Sequence, residues 1–110
     1  MIQEYRKKSA EMLGIQLTKY GIILGSQRPI KGLKSIIQLW HPESDADQML
    51  MVWEWLNTEI NLTIEWLPLS RKWNICLYAK RDNYAYPDGT DTDIKLATMK
   101  AFMRYIKITK

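Results

Sequence analysis

Two short segments with alternating apolar residues constrain the fold of this chain more than any other feature. The alternating apolar positions are Leu62, Ile64, Trp66, Trp73, Ile75, Leu77 and Ala79. The Pro-Leu-Ser-Arg sequence at 68–71 lies between the two segments and is typical of a turn. Because side chains alternate across a strand, the pattern predicts two strands that form a hairpin with one apolar face.

A third strand is expected directly after this hairpin. The Arg-Asp-Asn sequence at 81–83 favours a turn, the Tyr-Ala-Tyr sequence at 84–86 favours a strand, and Pro87 with Gly89 ends it. The three segments predict an antiparallel meander of about three strands over residues 62–86.

Helices are expected on both sides of the meander in the sequence. Residues 3–13 are rich in helix formers, and Gly14 follows at the position of a C-cap glycine. The Thr-Asp-Thr-Asp sequence at 90–93 opens a terminal helix over residues 92–108. The apolar residues of that helix fall on one face, while its cations fall largely off it; the apolar set is Ile94, Ala97, Ala101, Phe102 and Tyr105.

A further helix is expected over residues 44–58. Ser44 suits the N-cap, and Asp47 stands at the capping-box position. Apolar residues then recur at helical spacing, at Ala46, Met49, Leu50, Trp53 and Leu56 or Asn57. Met51, Val52 and Trp55 widen this surface beyond one stripe, which predicts a helix covered on more than one side.

These elements predict one α+β domain over residues 1–110, with the meander between the helices at 44–58 and 92–108 as an α-β-α sandwich. Residues 15–40 carry no readable pattern, because Gly21, Gly25, Pro29 and Gly32 interrupt their apolar groups. The expected core comprises Leu50, Trp53, Leu62, Ile64, Trp73, Ile75, Leu77, Ile94, Ala97, Ala101 and Phe102.

The net charge of +4 is divided unevenly along the chain. Residues 1–40 carry seven Lys and Arg against two acids, residues 41–70 carry six acids and no Lys or Arg, and residues 71–110 carry nine against four. An ordinary mixed surface explains this balance. Because the middle segment is acidic, any anion-binding face must combine the two end segments in space.

Several classes of site lack the residues that they need. One cysteine, Cys76, excludes an internal disulfide, and with one histidine, His41, it falls short of a zinc site. The acids at 88–93 lack the spacing of a calcium loop. There is no Walker loop or Gly-x-Gly-x-x-Gly motif, so no cofactor is expected. Without a long apolar run or a signal-like start, the chain is expected in the cytoplasm.

The sequence disfavours two catalytic arrangements. His41 with Ser44 and Asp45 would form a hydrolase triad only if one capping turn brought all three side chains together, and helix capping already explains Ser44 and Asp45. Cys76 lacks an activating base other than His41 and is typical of a small buried residue.

The most suggestive binding pattern lies on the predicted strands. Bases and aromatics interleave there in the way that nucleobase stacking and phosphate contacts require; the candidate residues are Arg71, Lys72, Lys80, Arg81, Tyr84 and Tyr86. Core packing with ordinary flanking charge is the competing explanation, because strand aromatics usually lie in cores.

Five short sequences together resemble a known family. They are Ala-Glu-Met-Leu-Gly at 10–14, Trp-His-Pro-Glu-Ser-Asp at 40–45, Val-Trp-Glu-Trp-Leu at 52–56, Lys-Trp-Asn-Ile at 72–75 and Ala-Thr-Met-Lys-Ala at 97–101. The pattern is similar to the small phage-encoded ABA-sandwich family. The resemblance implies a phage or prophage origin, a bacterial host cytoplasm and a three-layer fold, but no established activity. Trp53 before Glu54 and the long Gly-interrupted stretch at 14–40 depart from it.

The predicted function is that of a non-enzymatic phage or prophage accessory protein that acts by binding, with its molecular activity left open and a host or phage protein as one candidate partner. The alternative is a binder of nucleic acid or of a small anionic nucleotide. A homodimer is also expected, with Met51, Val52 and Trp55 as its interface residues, because large apolar groups outnumber what one helix face and one sheet face cover. These groups are Met49, Met51, Val52, Trp53, Trp55, Trp66 and Leu67. The open alternative is that the segment at 14–40 covers them.

Overall fold

The computed structural model describes residues 1–24 and 38–109. Its elements in chain order are α1 Ile2–Leu13, α2 Ala46–Glu59, β1 Asn61–Leu67, β2 Lys72–Tyr78, β3 Gly89–Asp91 and α3 Ile94–Thr109. Gly14 ends α1 in the left-handed conformation, with φ of 73°, as the sequence predicts. The predicted irregularity at Gly25, Pro29 and Gly32 lies outside the described residues.

The three strands form one antiparallel sheet in the order β1-β2-β3. Ile64 pairs with Ile75, and Ile75 pairs with Gly89 on its other side, so the apolar alternation is in register across the hairpin. α2 packs against β1, and α3 packs across β2 and β3. The predicted α+β class, with an antiparallel sheet flanked by helices, is confirmed.

The third strand was predicted at the wrong place. Residues 84–86 make one isolated bridge, between Ala85 and Tyr78, and the strand forms at Gly89–Asp91 instead. Gly89 explains the difference, because a side chain there would overlap the Ala97 carbonyl oxygen and the Ala101 backbone nitrogen of α3. Only glycine lets a strand lie this close to the helix.

Both later helices begin after the predicted residue. Asp45, not Ser44, is the N-cap of α2, and its carboxylate accepts the Gln48 N–H at 3.0 Å. Ser44 belongs to the preceding turn, where its N–H donates to the His41 carbonyl. The terminal helix begins at Ile94 because Thr90 and Asp91 are in β3.

The buried face of α2 differs from the predicted stripe. Gln48, Met49, Val52 and Leu56 are buried, while Leu50 is 46% exposed. α2 contacts α1 and α3 as well as β1, so its buried arc is set by three neighbours that a periodic pattern does not identify.

Five of the predicted core residues are fully or almost fully buried: Ile75, Leu77, Ala97, Ala101 and Phe102. Four more pack against the core while half-buried: Trp53, Leu62, Trp73 and Ile94. Leu50 and Ile64 are exposed, so their assignment to the core was wrong. Ile64 lies on β1, which has a neighbouring strand on one side only among the described residues.

Aromatic residues join the helices to each other. The Tyr5 ring of α1 and the Trp55 ring of α2 both meet Phe102 of α3, at 5.5 and 5.8 Å between centroids. The Trp53 Nε1–H donates to Thr98 Oγ1 at 2.8 Å, which links α2 to α3 directly. Phe102 is therefore the point at which all three helices meet.

We expect Gly89→Ala to destabilise the protein by about 3 kcal/mol, because the added methyl group forces α3 away from the sheet. Gly14→Ala is the comparison: nothing lies within 4 Å of its Cβ position, and only its positive φ is strained, which costs about 1 kcal/mol. Urea unfolding measures both. Equal losses in the free energy of unfolding for the two variants would contradict the close approach of β3 and α3.

Candidate functional site

The basic residues predicted on the strands lie in two separate places. Arg71 and Lys72 are at the hairpin end of β2, while Lys80 and Arg81 follow its other end. A strand rises ~3.3 Å per residue, so β2 holds the two pairs roughly 20 Å apart. They do not form one continuous binding platform.

The two predicted aromatics belong to a chain of tyrosine rings. Tyr84 contacts Tyr86 at 5.1 Å between centroids, and Tyr86 contacts Tyr105 of α3 at 5.0 Å. Tyr84 is exposed, Tyr86 is half-buried against the core, and burial raises the pKa of the Tyr105 hydroxyl. Tyr86 therefore contributes to packing, and Tyr84 is the aromatic ring that is open to a ligand at this end of the sheet.

The predicted interface residues of α2 differ in their exposure. Val52 is fully buried, and Trp55 is half-buried between Phe102 and Tyr105. Met51 alone of the three has a large exposed surface. Much of the apolar surface of α2 that the sequence predicts to be exposed is thus buried against α1 and α3.

The candidate catalytic groups are engaged in local structure. His41 Nδ1 lies 2.5 Å from Ser44 Oγ, but Asp45 caps α2 and so accepts from the Gln48 N–H. Cys76 is buried on β2, with its Sγ 3.2 Å from the Asn74 amide. Burial, followed by the charge of Asp88, raises the pKa of the Cys76 thiol, which disfavours the thiolate form.

A cleft of about 810 Å³ lies between α1 and α3, next to β3. Four cations line it together with one acid and several apolar side chains: Met1, Glu4, Lys8, Thr90, Lys100, Met103, Arg104, Ile106 and Lys107. The cleft thus combines the basic first and last segments of the sequence. This is the arrangement that the charge distribution requires of an anion-binding face.

Helical spacing explains how α3 contributes three cations to the cleft. Lys100, Arg104 and Lys107 are separated by four and three residues, which places them along one side of the helix. Phe102 and Tyr105 point to the opposite side, into the core. The sequence showed that these cations fall off the apolar face of α3, but it did not show that α1 would lie opposite them.

Two cations of the cleft, Lys100 and Arg104, are held in place by β3 and by Asp88, the residue before it. Lys100 Nζ lies 2.9 Å from Asp91 Oδ2 and 3.2 Å from the Thr90 carbonyl oxygen, and the Arg104 guanidinium donates to the Asp88 carbonyl. The Asp93 backbone N–H and then Lys100 hold the pKa of Asp91 below its ordinary value of 3.8. Because the side chains of Lys100 and Arg104 are already held, they lose less conformational entropy on binding an anion than free side chains would.

Comparison with known proteins gives no relative for this site. No protein-family model matches the chain, and neither curated proteins nor solved structures give a significant match. Residues 1–24 and 38–109 contain no cluster of three metal-binding side chains, and no helix among them is long and apolar enough to cross a membrane. The family resemblance stays a prediction.

The ion pair between Asp91 and Lys100 predicts a pH-dependent effect of Asp91→Asn. The pKa of Asp91 is lowered in the folded state, so its carboxylate stabilises the fold above its ordinary pKa and this contribution is lost as the pH falls through the lowered value. We expect Asp91→Asn to destabilise the protein near neutral pH and to differ little from the wild type at strongly acid pH.

Urea unfolding across this pH range is the measurement. Asp82→Asn changes an exposed turn carboxylate outside the cleft and is the control. A pH-independent effect of Asp91→Asn would mean that the Asp91–Lys100 contact does not stabilise the folded state.

Proposed function

We propose that this protein acts by binding, and that its ligand is a small phosphate-bearing anion of nucleotide size held in the cleft between α1 and α3. The observation that carries the proposal is the meeting of Lys8 from α1 with Lys100, Arg104 and Lys107 from α3 around one concave surface. Only Glu4 opposes them among the lining residues.

The size of the cleft supports a small ligand. Its volume of about 810 Å³ lies within the ~300–1,000 Å³ that is usual for small-molecule sites. Met1, Met103 and Ile106 add apolar surface beside the cations. An organic anion with a charged group at one end matches this combination better than an inorganic ion does.

The chemistry of the cations supports a phosphate group. The guanidinium of Arg104 has several N–H donors, and one of them donates to the Asp88 carbonyl. Its planar fork suits hydrogen bonds to two phosphate oxygens. Lys107 is exposed beside it, and Lys8 is 3.7 Å from Glu11 in a weak surface pair. These side chains are available to reach a ligand that enters the cleft.

Binding of nucleic acid along the strands is less well supported. It requires Arg71 and Lys72 to act with Lys80 and Arg81, and these pairs lie at opposite ends of β2. Nucleic-acid binding is therefore kept as an outcome of the test. The phage accessory role, the protein partner and the cytoplasmic location expected from the sequence stay predictions.

A pair of matched double variants tests the site. We expect Arg104→Gln with Lys107→Gln to weaken binding of a fluorescent adenosine triphosphate by about tenfold or more, because charged hydrogen bonds to phosphate are lost. Lys72→Gln with Lys80→Gln removes the same charge from the strand ends and should leave the affinity almost unchanged. Fluorescence anisotropy over a salt series measures both variants.

The opposite outcomes are equally informative. A larger loss in the strand-end variant, especially with a fluorescent single-stranded oligonucleotide whose affinity falls steeply with salt, would favour the nucleic-acid surface. Equal losses in both variants would mean that only the overall charge attracts the anion. No binding by the wild type would overturn the proposal.

A further inference from the structure

β1 is an open edge of the sheet. Within residues 1–24 and 38–109, its seven residues pair with β2 on one side only. An edge strand presents unpaired backbone N–H and C=O groups, and proteins usually protect such an edge with lysine, proline, a bulge or a very short strand. β3, at the other edge, is short, with three residues.

The sequence of β1 lacks the usual protection. Asn61–Leu67 contains no Lys, Arg or Pro, and Glu65 is its single charged residue. Ile64 is 41% exposed and Trp66 is 45% exposed, although both stand on the apolar side of the alternation. The ring centroids of Trp66 and Trp73 of β2 lie 5.0 Å apart, and this contact holds the Trp66 ring at the edge of the sheet.

We propose that a second copy of this chain pairs antiparallel with the outer edge of β1, so that the two sheets become one six-stranded sheet. We infer a second copy as the partner because the β1 sequence is complementary to itself in antiparallel pairing. Pairing about Ile64 matches all seven residues of one β1 with all seven of the other, from Asn61 opposite Leu67 to Ile64 opposite Ile64.

The alternation of side chains selects this register. With Ile64 at the two-fold axis, Leu62 lies opposite Trp66 of the second copy, so apolar residues meet apolar residues on the helix-facing side. A shift of one residue would place Ile64 opposite Glu65. Centring on Glu65 would bring two carboxylates together, whereas centring on Ile64 places each Glu65 opposite Thr63.

The geometry closes the assembly at two copies. Among the described residues each chain offers one long edge, and self-pairing about a two-fold axis uses both β1 edges at once. Thr90, which lines the anion cleft, is in β3 at the opposite edge. The dimer therefore leaves both clefts open, and its formation is independent of the proposed ligand.

This dimer differs from the one expected through α2. Val52 has no exposed surface and Trp55 is half-buried, so two of the three residues expected in that interface offer little surface to a partner. The large exposed apolar side chains of β1, Ile64 and Trp66, lie next to backbone groups that pair with no strand in the part of the chain that the structure describes. Hydrogen bonds and apolar contact can thus form together at the same edge.

Sedimentation velocity of the full chain over a range of concentrations tests the proposal. We expect a species of twice the 13.0 kDa chain mass that dissociates on dilution. Ile64→Lys, which places a charge at the two-fold axis, should abolish it. Ile108→Lys is the matched control, because Ile108 is 54% exposed at the end of α3, away from β1, and this variant should remain dimeric.

A cross-linking variant fixes the register and does not depend on Ile64→Lys folding. In the proposed pairing the two Ile64 positions face each other, so Ile64→Cys should form a disulfide-linked dimer under mild oxidation, while Ile108→Cys should not. A monomeric wild type at every concentration, a dimer that survives Ile64→Lys, or equal cross-linking of both cysteine variants would overturn the proposal. Binding of the fluorescent nucleotide should be unchanged in Ile64→Lys.

Discussion

The contact between Gly89 and the first half of α3 fixes the relation of helix to sheet on which the other features depend. The small residues Ala97 and Ala101 face a strand residue without a side chain, so backbone meets backbone across the interface. This close approach brings Phe102 into the middle of the helices and buries it completely. The same helix then necessarily turns Lys100 and Arg104 outward, because residues two positions apart face different sides.

A buried polar cluster holds α1 against the chain that leads into α2. The Trp40 Nε1–H donates to Ser9 Oγ at 3.0 Å, and the Arg6 guanidinium pairs with Glu43. These partners offset the cost of burying polar groups. Among residues 1–24 and 38–109, however, the buried Tyr5 hydroxyl and one buried Glu43 oxygen have no hydrogen-bond partner. Burial and then the Glu43 charge raise the pKa of Tyr5, so this phenol is held in its neutral form. By holding α1 in place, the cluster also sets one wall of the cleft, where Lys8 stands.

The two surfaces proposed for binding depend on different interactions. The cleft attracts an anion through cations that are held by hydrogen bonds, so its affinity depends on salt and on Lys100 and Arg104 keeping their places. Pairing at the β1 edge depends on backbone groups that no described strand contacts and on apolar side chains such as Trp66, so its strength depends on register. They lie at opposite edges of the sheet, which allows one to change without the other.

The sequence by itself determined the fold class and every element except β3, because alternation in β1 and β2 and capping by Gly14 are properties of neighbouring residues. It also indicated that an anion-binding face must join the two ends of the chain. The tertiary structure alone decided that β3 forms at Gly89, since that choice depends on how closely α3 approaches. It likewise decided that Val52 is buried while Leu50 and Ile64 are exposed. Periodicity identifies an apolar face, but burial depends on which neighbours cover it, and those contacts join residues far apart in the chain.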